Sequence, residues 1–132
     1  MGGSYMSITL QGIDGEKLAR EILLEMGVDR IFQADWLVRR DGEWCVVEVK
    51  HKAMFTSPPF YGHGLDIRQV RARQEFLKDV GIRCFFLVID TETEKIYWQW
   101  LDVLEETDYF DTRNNVRIYN IGNFNEYQKI PQ

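Results

Sequence analysis

A mixed α/β fold around one sheet is the architecture this sequence predicts. Three observations predict it: two stretches with helical spacing, an Asp-Gly hairpin between strand-like runs, and a nearly unbroken apolar run after the second helix. The first stretch, over 14–26, repeats Leu18, Ala19, Ile22, Leu23 and Met26 at three- and four-residue spacing, and Gly27 stops it. Residues 31–40 and 43–52 are rich in Ile, Phe, Trp, Val and Leu and read as strands, with Asp41-Gly42 as a two-residue turn between them. Residues 53–64 hold Ser57-Pro58-Pro59, Gly62 and Gly64 with three aromatic residues, and read as a loop that closes over a bound substrate. A second helix is expected over 65–80, stopped by Gly81, and a strand buried on both faces over 82–89. Residues 95–101 alternate aromatic and polar side chains as a further strand, and 116–121 suit a last short one.

The chain has 132 residues, with 16 Lys+Arg against 21 Asp+Glu and a net charge of −5. That length suits one domain over 1–132, with 102–132 as a C-terminal extension and 1–5 as the remnant of a tag before Met6. A hydrophobic content of 45% supplies a core and excludes a mainly disordered chain. No apolar run approaches a membrane span, and no secretory signal opens the chain. Cys45 and Cys84 stand alone in apolar runs, outside any zinc pattern, as reduced core residues of an intracellular, cytoplasmic protein. The acidic balance argues against broad non-specific nucleic-acid binding, though metal-holding carboxylates would themselves add to it.

The hairpin carries the chemistry. A two-residue turn pairs Arg40 with Glu43, so Arg39 faces Trp44, Leu37 faces Val46, and Asp35 faces Glu48. Lys50 lies two residues beyond Glu48 on the same face. Two carboxylates directly opposite stand roughly 4.5–5.5 Å apart at Cβ and repel. A shared proton, the nearby Lys50 or a divalent cation would each offset that repulsion. The register requires a hairpin without a bulge.

A third carboxylate, Glu16, sits at the edge of the first helix's apolar arc, where it leans toward the sheet or simply complements the helix dipole. The second helix places Gln69 and Arg73 inside its core arc, and such buried polar groups need a partner: a carboxylate, a water or a phosphate. Arg68 and Arg71 point outward, and with His51, Lys52 and His63 they compose a basic rim or a solvated face.

A Glu on the first helix, Ala34-Asp35 on one strand and Glu48-Val49-Lys50 on the next resemble the PD-(D/E)XK nuclease superfamily, across roughly 12–101. Ala34 stands where the name-giving motif has proline. The resemblance implies a restriction-endonuclease-like α-β-β-α-β core, a mixed central sheet flanked by helices, with its third strand in the loop segment or near 8–11. It implies that Asp35, Glu48, Glu16 and the Val49 carbonyl hold Mg²⁺ or Mn²⁺. Lys50 then orients the attacking water or stabilises charge on the phosphate, and Gln69 resembles a helix glutamine of some branches. His51, Lys52, His63, Arg68, Arg71 and Arg73 become nucleic-acid contacts. The implied function is a metal-dependent endonuclease acting on DNA, with RNA not excluded, and in small members a homodimer. The alternative is a non-catalytic nucleic-acid-binding or assembly module that keeps the fold.

Overall fold

The computed structural model describes residues 15–29, 31, 34–56 and 61–128, with residues 15 and 16 by their backbone alone. Asp14, the segment 8–11 and the centre of the expected loop, 57–60, lie outside the described residues. The chain divides into two units, Met1–Gln33 and Ala34–Gln132, each described by itself.

In the first unit, α1 spans Gly15–Glu25. Its end matches the expected glycine stop. Gly27 takes φ +95°, while the N–H of Val28 donates to Leu23 O and that of Gly27 to Leu24 O.

The second unit opens with the hairpin of β1 (Trp36–Arg40) and β2 (Glu43–Lys52). Asp41 and Gly42 both take positive φ, +50° and +81°, as a tight hairpin turn requires. Arg40 pairs with Glu43, Arg39 with Trp44 and Leu37 with Val46, the register the turn dictates. The first strand is shorter than its composition suggested. Pairing begins at Trp36, and Asp35 lies in a bend before it.

The expected loop also needs correction. Gly62–Asp66 forms β3, and α2 spans Ile67–Val80, starting two residues later than its apolar spacing suggested. Asp66 caps α2, accepting from Arg68 N at 2.8 Å, and Gly81 closes it at φ +79°. β3 runs antiparallel to a distant strand, β7 (Val116–Asn120). A Cβ on Gly62 would overlap the Tyr119 carbonyl oxygen, and one on Gly64 would overlap that of Arg117. These glycines, which read locally as loop residues, permit the close backbone approach.

After α2 come β4 (Arg83–Asp90), β5 (Ile96–Trp100), a short α3 (Leu101–Glu105), β6 (Tyr109–Asp111), β7, a 3₁₀ turn at Ile121–Asn123 and β8 (Asn125–Tyr127). The main sheet has the order β1-β2-β4-β5-β8, and β3-β7-β6 form a smaller one. β2 and β4 are parallel, while the other neighbours in the main sheet are antiparallel, so the sheet is mixed. The fold is α/β.

One face of the main sheet is the core. Val46, Cys84, Phe86 and Val88 meet Leu65 of β3, Val70 of α2, Leu101 and Leu104 of α3, Tyr119 of β7 and Phe124. The segment expected as an extension thus supplies core side chains and an edge strand. β4 is fully buried only on this face; Phe85, Leu87 and Ile89 opposite are half-buried. There Trp98 stacks on Phe85 at 5.2 Å, and Arg83 lies 4.1 Å over Trp100. Among the described residues, no helix is long and apolar enough to cross a membrane.

Candidate active site

In an extended strand the N–H and C=O of one residue point to the same edge. Trp36 pairs with Val47, so Val49, two residues on, turns its backbone to the same edge just past the last β1 residue. The next backbone partner in register would be Ala34. The chain bends away instead, and Asp35 Oδ2 accepts from Val49 N at 2.8 Å. A side chain therefore stands in for the missing ladder carbonyl. It fixes one carboxylate oxygen of Asp35 at the strand end, where the Val49 carbonyl faces the same edge.

Glu48 points to the core face between Val46 and Lys50, and only 2% of it is exposed. Its Oε1 accepts from Arg73 Nε at 2.7 Å, with Arg73 only 5% exposed. Of the three partners expected for Arg73, the carboxylate is the one it has. Burial pushes the Glu48 carboxyl above its ordinary value, the Arg73 hydrogen bond and charge oppose that shift, and the Asp35 charge reinforces it. Desolvation wins. Two polar atoms on α2 nearby, Arg73 Nη1 and Gln69 Oε1, are buried without a hydrogen-bond partner.

Lys50 is half-buried and its charge acts on both Glu48 and Asp66. Asp66 is an acidic neighbour that motif spacing missed. Its signal was the Asp66-x-Arg68 start of α2, where the Arg68 side chain and backbone hold the carboxyl below its usual range. Arg68 is therefore paired with Asp66, at 3.3 Å, rather than offered alone at the rim. His51, Lys52 and Arg71 are exposed, and Lys52 Nζ lies 5.6 Å from the Phe55 ring centroid.

Two of the expected nucleic-acid contacts are not at the surface. Arg73 is buried against Glu48, and His63 on β3 is 2% exposed. His63 packs near Tyr97 and Phe124, with Nε2 3.4 Å from Asp90 Oδ2. Asp90 also accepts from Glu92 N and Thr93 N. The inward turn of His63 follows from β3, which a loop reading of Gly62-His63-Gly64 could not anticipate. The Glu16 side chain lies outside the described residues.

The donor set is one of hard oxygens. Asp35 and Glu48 each commit one oxygen, to Val49 N and to Arg73. No hydrogen bond engages the second oxygen of either among the described residues. With the Val49 carbonyl these suit Mg²⁺ or Mn²⁺, which take carboxylate and carbonyl oxygens and keep several waters. Among the described residues no group of three or more Asp, Glu, His or Cys side chains converges.

No protein-family model matches the sequence. No curated protein matches it either. Among solved structures, the chain is similar to Hjc, a Holliday junction resolvase from the archaeal hyperthermophile Archaeoglobus fulgidus. The two share 16% identity at a TM-score of 0.47, over 80% of this chain and 88% of that one. That likeness concerns the path of the chain and assigns no residue a role.

Proposed function

We propose that this protein is a divalent-metal-dependent nuclease that hydrolyses phosphodiester bonds, with DNA as its substrate. The observation that carries the reading is the strand-end arrangement. Asp35 is anchored on Val49 N beside buried Glu48, and Lys50 follows on the same face. Asp35, Glu48 and the Val49 carbonyl would hold Mg²⁺ or Mn²⁺. The metal, when bound, supplies the Lewis acidity that phosphodiester hydrolysis needs near neutral pH. Lys50, on the same face as Glu48, would stabilise negative charge as it builds on the phosphate. Exposed His51, Lys52 and Arg71 supply phosphate contacts around the site. A homodimer, which light scattering would detect, and an intracellular setting in which Cys45 and Cys84 stay free belong to the same proposal.

The test is cleavage of duplex, single-stranded, flap and four-way DNA, and matching RNA, with Mg²⁺, Mn²⁺ or EDTA. We expect DNA cleavage with metal, none in EDTA, and loss of cleavage in Glu48→Gln. A second reading, a non-catalytic nucleic-acid-binding or assembly module, draws support from the Arg73–Glu48 pair, because Glu48 already has a cation. Binding without cleavage of any substrate would favour it.

A further inference from the structure

The geometry points to Arg73 as an internal cation that competes with the divalent metal for Glu48, with Gln69 as the partner that receives it when the metal enters. This inference rests on the metal-centred reading above. Arg73 Nε and Glu48 Oε1 lie 2.7 Å apart, and both side chains are at least nineteen-twentieths buried. A buried carboxylate needs a compensating cation, and here the Arg73 guanidinium supplies it. A metal ion on the same carboxylate would bring two positive charges within a few ångströms in a region of low dielectric, where repulsion is strong. Metal therefore binds against Arg73, not with its help.

The unused atoms indicate where the guanidinium goes. Arg73 Nη1 is a buried donor without a partner, and Gln69 Oε1 is a buried acceptor without one. The two residues are four apart on α2, so they share one helix face as neighbours. Moving the guanidinium from Glu48 to the Gln69 carbonyl would satisfy both orphan atoms and take its positive charge off the carboxylate that the metal needs. Loading the site then means exchanging the partner of one buried carboxylate.

The experiment is calorimetric titration of Mn²⁺ into the wild type and into Arg73→Gln, Arg73→Met, Arg73→Lys and Gln69→Met, with thermal melts in EDTA and in Mn²⁺. The two neutral Arg73 variants should bind Mn²⁺ at least roughly tenfold more tightly than wild type, and Mn²⁺ should raise their melting temperature more. Arg73→Lys, which keeps the charge, should resemble wild type, and Gln69→Met should bind Mn²⁺ more weakly. If Arg73→Met folds only with Mn²⁺, the competition is supported, and Arg73→Gln carries the comparison if it does not fold at all. Wild type that binds Mn²⁺ and cleaves DNA, with neutral variants binding no tighter, would overturn the competition and leave the nuclease reading standing. No Mn²⁺ binding by any of the proteins, with no cleavage by wild type, would overturn both.

Discussion

At the scale of single residues, Asp35 has two separable roles. Its Oδ2 accepts from Val49 N, and its charge acts on Glu48. Asparagine keeps a side-chain carbonyl acceptor and loses the charge. Asp35→Asn should thus unfold at nearly the wild-type denaturant midpoint, yet lose Mn²⁺ affinity and most cleavage. Asp35→Ala should lose both, with a stability cost of about 1 kcal/mol for the unpaired amide. A stability loss in Asp35→Asn as large as in Asp35→Ala would contradict this division. Lys50 offers the complementary case. It is not a metal ligand, so Lys50→Ala should lower the cleavage rate by roughly 10²–10³ while Mn²⁺ titration stays near wild type. Unchanged turnover with weaker DNA binding would make it an ordinary phosphate contact.

At the scale of elements, β3 decides whether the smaller sheet forms. Its pairing with β7 brings the backbone at Gly62 against the Tyr119 carbonyl, with no room for a methyl group. Gly62→Ala should lower stability by about 1–3 kcal/mol, the usual cost of forcing an atom into a packed region. Denaturant unfolding measures this directly, and a neutral effect would show that β3 tolerates a looser approach. The same strand carries His63 into the core and leads into Asp66, the α2 cap. Its loss would therefore reach the site through the start of the helix that holds Arg73.

At the scale of the whole molecule, the buried His63–Asp90 pair ties the smaller sheet to the end of β4 and makes stability pH-dependent. Burial lowers the His63 pKa, and the attraction of Asp90 does not restore it. As pH falls through the ordinary value of 6.5, the unfolded chain takes a proton that the native His63 refuses, so stability is lost. Burial works against Asp90 ionising, but the Thr93 and Glu92 N–H groups and His63 outweigh it and hold the carboxyl low; its contribution is lost below about 3.8. Glu48 has the opposite sign. Its pKa is raised above 4.5, so the native state binds a proton more readily there and gains stability as pH falls through that raised value. The decline that begins near pH 6.5 therefore belongs to His63. Denaturant midpoints from pH 7.5 to 5 should fall less steeply in His63→Gln than in wild type. Parallel slopes would assign the decline to another group.

By itself the sequence determined what local physics settles. Asp41-Gly42 needs positive φ at both positions, and with it came the register that pairs Arg40 with Glu43 and runs as far as Trp36 and Val47, while the bend that turns Asp35 onto Val49 N lay beyond it. Gly27 and Gly81 end helices because only glycine enters the left-handed region at little cost. The helical period put Arg73 and Gln69 on the inner arc of α2. Tertiary structure alone decided which partner each inward polar group found. Arg73 and Glu48 are 25 residues apart, and they meet because α2 packs over β2 and β4. The Gly62-His63-Gly64 segment read as a loop because its strand partner lies more than fifty residues onward, and a β-strand is defined by the edge it pairs with rather than by its own composition. The same reason moved His63 from an expected rim to the core. Periodicity states that a side chain faces inward, whereas the group it meets there depends on the elements that long-range packing brings across from it.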